Sequence, residues 1–253
     1  MATYKKRGGK PRGKEKDQIE EEESTTAEVF SSLDMGASKT EEWVARNQNY
    51  IFGFIGLVSI VVLGYLAYNQ FIQKPRELEA SDELFFAQQY FEDALNNADS
   101  DSLYNLALTG AEGKYGLLDI IDKYRGTDAA NIANYSAGTA YLNMGQYDKA
   151  ITYLQEFSSD DAMMGPIAKG AIGDAFMQLD QPEEALEYYE KAISLQTNDF
   201  TTPLYLMKAS VAASALGKYD KSLTFLTRIK EEFPKSSQAT EVDVLIGEVE
   251  NLN

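Results

Sequence analysis

The side chains that do most protein chemistry are missing from this chain. Its 253 residues contain no cysteine and no histidine. Thiol nucleophiles, disulfides, the usual zinc ligand sets and any triad built on imidazole are therefore excluded. What remains is carboxylate. Asp160-Asp161 and Glu183-Glu184 are adjacent pairs, but neighbours on a helix point about 100° apart and cannot flank one reacting bond. They fit loop and helix-start positions, where the helix dipole favours an acid. No glycine-rich phosphate loop is present, and the glycosylation pattern Asn134-Tyr135-Ser136 falls inside a predicted helix. The sequence predicts no enzyme, no cofactor and no metal.

Charge narrows the partners further. Residues 74–253 carry 14 Lys/Arg against 30 Asp/Glu, with the basic residues scattered singly. Such a surface repels nucleic acid and offers no patch that could track phosphates. Protein and membrane are left as partners.

One stretch dictates where the chain sits. Residues 50–72 read YIFGFIGLVSIVVLGYLAYNQFI, and no charged residue occurs across the 27 positions 47–73. A bilayer core needs roughly 20 apolar helical residues, so this run predicts a single membrane span. Tyr50, Phe52, Tyr65, Tyr68 and Phe71 put aromatics near its ends, as expected at headgroup level. Gly53, Gly56, Gly64 and Ala67 fall on one helical face and form a candidate ridge for docking another membrane helix. Here 49 residues precede a run longer than that of a cleaved signal, and no small-residue cleavage pattern follows it, so a retained signal anchor is expected.

The flanks set its expected orientation. Residues 1–37 hold seven Lys/Arg within the first 16 positions and an acidic run at 20–23, a composition too polar to bury a core. They predict a disordered cytoplasmic tail. Ser38 and Glu41 fit a capping box, so residues 38–73 predict a juxtamembrane helix merging with the span. Two Lys/Arg flank the span closely on each side, and the cluster from Lys5 to Lys16 breaks the tie. The N-terminus is then cytoplasmic, with residues 74–253 across the membrane.

Helices must carry the rest. Pro75 marks a new helix start, and residues 76–95 predict an amphipathic helix with Leu78, Phe85, Phe86, Phe91 and Leu95 inside. Shorter helices are expected at about 103–109 and 113–124. From residue 131 the sequence repeats. AGTAYLNMGQYDKAITYL, IGDAFMQLDQPEEALEYY and ASVAASALGKYDKSLTFL begin at Ala137, Ile172 and Ala209. In each, a small residue (Gly138, Gly173, Ser210) precedes a second (Ala150, Ala185, Ser222) by 12, and a large residue (Leu154, Tyr189, Leu226) follows four later. Small residues admit close antiparallel helices, and the large one fills the gap over the same face. Gly145, Asp180 and Gly217 occupy the turn between.

This pattern resembles the tetratricopeptide repeat, a helix–turn–helix unit of about 34 residues that stacks into a solenoid. The usual first-helix Trp is replaced by Asn134, Lys169 and Leu206, and the closing proline survives only as Pro234. The expected all-α architecture is a degenerate first helical repeat at 74–130, three tetratricopeptide repeats at 131–236 and a capping helix at 237–253. With its tail, span and Pro-marked helix, the arrangement over 38–253 resembles the YfgM family, ancillary inner-membrane subunits of the Sec translocon. The segments GLLDIIDKY, GTAYLNMGQY and GDAFMQLDQPEEA are similar to a form found in bacteria of the Bacteroidetes type.

The repeat resemblance implies a peptide groove along the concave face. Carried over by register, it comprises Ile132, Tyr135, Leu142, Ile167, Met177, Leu204, Met207 and Val211, with Thr139, Gly170 and Asp174 among them. The face is apolar, and its methionines suit varied partners. The basic set that clamps a peptide carboxylate is absent, since Lys169 and Lys208 do not align with it. Either the groove is open or neighbouring helices cover it. The YfgM resemblance implies a scaffold at the periplasmic face of a bacterial inner membrane, with translocon subunits, a periplasmic chaperone or unfolded secretory clients as partners. The alternative is a structural subunit of another envelope complex, without chaperone activity.

Overall fold

The computed structural model describes residues 42–97 and 100–252, and it forms two units that meet in sequence at Tyr68 and Asn69. The expected tail and the capping box at 38–41 lie outside the described residues. In the first unit, residues 42–68 are helical (α1). One helix among the described residues is long and apolar enough to cross a membrane, and its most apolar window is entirely unburied.

The second unit is helical throughout its described length, without a strand. A π-helical turn, Asn69–Gln73, precedes α2 (Lys74–Leu95). Pro75 has no N–H to give the carbonyl four residues back, and its ring needs the room that a widened turn supplies. α3 (Asp101–Thr109), α4 (Leu117–Lys123) and α5 (Asp128–Asn143) pack with α2 into one cluster.

Two expectations are corrected here. The buried face of α2 is Ala80, Leu84, Ala87, Phe91 and Ala94, so of the five residues expected inside only Phe91 is buried. Leu78, Phe85 and Leu95 are more than half exposed. Alanine on the inner face lets helices approach closely, so packing selects the small stripe over the large one. The third helix begins at Leu117 rather than near Gly113, because Gly110, Glu112 and Gly113 all take positive φ in a reversing turn. That turn brings the backbones of Gly110 and Gly116 together: a Cβ on Gly116 would lie 2.3 Å from the Gly110 nitrogen.

Three helix pairs follow: α5 with α6 (Tyr147–Glu156), α7 (Met164–Gln178) with α8 (Pro182–Leu195), and α9 (Thr201–Ala215) with α10 (Tyr219–Glu232). The turn residues Gly145, Asp180 and Gly217 have φ of 70°, 58° and 69°, the left-handed conformation that ends each first helix. The small-to-large spacing is realised as contact. A methyl group on Gly138 would come within 2.5 Å of Leu154 Cγ, and one on Gly173 within 2.6 Å of Tyr189 Cε1. In the third pair, the Ser222 hydroxyl donates to the Ser210 carbonyl at 3.0 Å.

The connections between pairs are pinned by polar side chains. Asp161 Oδ1 accepts from the Met163 and Met164 amides at the start of α7, which holds its carboxyl below the usual range. Asn198 Oδ1 does the same for Phe200 and Thr201, while its Nδ2 donates to Ala162 O at 3.0 Å. Asn131 bonds both backbone groups of Ser158. At the far end, a 3-10 turn (Gln238–Thr240) leads to α11 (Val242–Glu250). Val242 and Val249 of this helix close the second core cluster against α10.

Candidate peptide groove

Leu142 and Met177 sit at the C-terminal ends of α5 and α7, while Met207 lies mid-way along α9 and Val211 one turn further on; these are the first helices of the three pairs. They line one open trough of about 620 Å³ with Asn143, Tyr147, Asp174, Gln178, Tyr189 and Lys208. Leu142, Met177 and Met207 are half-buried and Val211 is exposed. α2 packs against α3, α4 and α5.

Two glycines on α7 make room beneath the trough for aromatic rings. Gly170 lies under Tyr205 and Gly173 under Tyr189, and the two rings stack on each other with centroids 6.2 Å apart. A polar knot sits beside them. Lys208 Nζ lies 2.7 Å from both Asp174 oxygens, and the Tyr189 hydroxyl donates to Oδ1 at 2.8 Å. Burial raises the pKa of Tyr189 and Tyr205, and the negative charge of Asp174 raises both further, so both phenols stay neutral donors. The Asp174–Lys208 pair is about one-third exposed on each side. Solvent screening limits its worth to about 1 kcal/mol or less. Its larger consequence is that it neutralises the trough's only charges.

The remaining predicted groove residues lie elsewhere. Ile132 is exposed, and Tyr135 packs on Phe157 with ring centroids 5.2 Å apart. Ile167 is half-buried near Tyr205, whose hydroxyl donates to its carbonyl at 3.5 Å. Leu204 lines a separate cleft of about 560 Å³ with Phe200, Phe233 and Pro234. Lys169 is outside the trough, and burial, with Lys191 nearby, pushes its pKa down. Asn143, Tyr147 and Gln178 were missed by residue-type reasoning. Their signal was positional: Asn143 and Gln178 stand one repeat period apart, at the end of equivalent helices. Nothing lies within 4 Å of a Cβ built on Gly53, Gly56 or Gly64 in the predicted docking ridge.

The fold and trough define an all-helical repeat array with protein-binding geometry. The tetratricopeptide repeat profile matches residues 135–200 and again 171–237, so the chain carries tetratricopeptide repeats. A crystal structure of a Podosopora anserina putative kinesin light chain with nearly identical TPR-like repeats aligns at a TM-score of 0.45 and 13% identity. That alignment covers 69% of this chain and 91% of that one. No curated protein sequence matches the chain.

Proposed function

We propose that this chain is a membrane-tethered tetratricopeptide scaffold whose trough binds apolar segments of protein partners. The observation that carries the reading is the open cluster of Leu142, Met177, Met207 and Val211 across three successive repeats. Apolar side chains held half-exposed in an open trough gain free energy when an apolar segment of a partner removes them from water. In this reading α1 spans a bacterial inner membrane, the basic cluster from Lys5 to Lys16 keeps the N-terminus cytoplasmic, and the repeats stand in the periplasm. The resemblance to YfgM-like proteins supports a place beside the Sec translocon, chaperoning emerging secretory chains.

Photo-crosslinkers at Met177 or Met207 in living cells test this. Capture of secretory chains, a translocon subunit or a periplasmic chaperone is the expected result. Labelling of the protein alone counts against it. Protease treatment of spheroplasts tests the side, because residues 74–253 should be degraded, and their protection would sink the periplasmic placement.

A second reading, an assembly subunit of another envelope complex, draws on the exposed Leu78 and Phe85 of α2. It predicts that exchanging residues 50–72 for an unrelated span abolishes complex formation while the trough captures nothing.

A further inference from the structure

We infer that the trough selects apolar segments flanked by lysine or arginine and rejects acidic ones, an inference resting on the reading of the trough as the partner site. The charge arrangement carries it. The trough offers no free cation to an incoming carboxylate, because Lys208 is held by both oxygens of Asp174. Outside it, Lys191, Lys218, Lys221, Arg228 and Lys230 are each committed to an acid of the array. Residues 131–253 hold nine Lys/Arg against 18 Asp/Glu. The surplus is acid: among the described residues Glu156, Asp180 and Glu184 stand exposed without an ion-pair partner, and of the bases Lys149, Lys169 and Lys235 are likewise unpaired with an acid. A neutral apolar cleft within such a field concentrates cationic ligands, and its low-dielectric walls strengthen the effect. Apolar contact supplies the affinity, while charge supplies the encounter rate and the discrimination. An acidic segment meets repulsion from the field and no compensating cation in the site.

The test uses the full-length chain in phosphatidylcholine nanodiscs and three labelled peptides. They share one leucine–alanine core and differ in flanks of lysine, glutamine or glutamate. Fluorescence anisotropy is read with the signal of empty nanodiscs subtracted. The lysine-flanked peptide should bind about tenfold tighter than the glutamate-flanked one at low salt, with glutamine between. The ratio should collapse near 1 M salt, where the screening length falls to about 3 Å. The double variant Met177→Gln, Met207→Gln should weaken all three, with its helical signal and melting curve checked against the parent. If the glutamate peptide binds equally well or better while the double variant still weakens binding, the charge selection is wrong and the scaffold reading stands. If no peptide binds, or the double variant changes nothing, both fall.

Discussion

Gly170 of α7 lies directly under the ring of Tyr205 of α9, so close that a methyl group there would come within 1.9 Å of Cε1. Tyr205 in turn stacks on Tyr189, which presses on Gly173. The base of the trough is thus set by one glycine–aromatic contact within the second pair, Gly173 with Tyr189, and one between the second and third pairs, Gly170 with Tyr205, and both tyrosines are almost fully buried.

Gly170→Ala should therefore destabilise the protein. Alanine in a helix interior is ordinarily better than glycine by about 0.5–1 kcal/mol. Displacing a buried ring costs about 1–3 kcal/mol, which outweighs that gain. Gly247→Ala in α11, where nothing lies within 4 Å, is the control and should stabilise. Urea midpoints compare the two, and a gain for Gly170→Ala would contradict the contact.

Stability should fall as pH rises above the ordinary tyrosine value of 10.0. Tyr189 and Tyr205 keep their protons in the fold, chiefly through burial and then through Asp174, whereas the unfolded chain releases them. Their contribution is complete below that value and is lost above it, by about 1.4 kcal/mol per pH unit for each tyrosine. Tyr189→Phe should flatten the decline in unfolding free energy between roughly pH 9 and pH 11. Parallel curves for parent and variant would refute the assignment.

The start of α5 is capped from a distance. Glu77 on α2 accepts from the Asp128 and Ala129 amides at 2.9 and 3.1 Å, beside the local cap from Thr127 to Ala130. Glu77→Ala and Thr127→Ala should each cost about 1 kcal/mol. Hydrogen exchange in the first turn of α5 should quicken in both, and unchanged exchange in Glu77→Ala would show that the distant cap is idle.

Asp180 is one of two described non-glycine residues with positive φ, at a turn where the sister repeats place Gly145 and Gly217. Asp180→Gly should raise stability by about 0.5–1 kcal/mol, and Gly145→Ala should lower it by about 1 kcal/mol. Thermal melts resolve both signs, and equal melting points would mean that the left-handed turn is not a point of strain.

Asp174→Asn should release Lys208 and shift the trough toward acidic segments. The expected readout is a smaller ratio between lysine- and glutamate-flanked peptides, with the melting temperature little changed because the pair is partly exposed. An unchanged ratio would mean that Lys208 takes no part in selection.

Much of the solenoid could be read from residue spacing, and the face of α2 could not. Gly138, Ala150 and Leu154 repeat at offsets that local helix geometry turns directly into contact. On α2 the sequence presents two apolar stripes, one aromatic and one alanine-rich. Only the presence of α3, α4 and α5 decides that Ala80, Ala87 and Ala94 go inside while Phe85 stays out. Gly113 looked like a helix start, yet the contact of Gly110 with Gly116 makes it part of a reversing turn.

The candidate groove divides along the same line. By itself the sequence determined an apolar helix able to cross a membrane, three helix–turn–helix units, their left-handed turns and the small-to-large contacts within each pair. These follow from spacings of a few turns along one stretch of chain. Tertiary structure alone decided that Leu142, Met177, Met207 and Val211 share one trough, that Tyr135 turns to Phe157, and that Leu204 opens on another cleft. It also decided that Asp174 captures Lys208. Those outcomes depend on contacts between residues far apart in the chain, such as Tyr205 of α9 over Gly170 of α7 and stacked on Tyr189 of α8, which the register of any one helix does not contain.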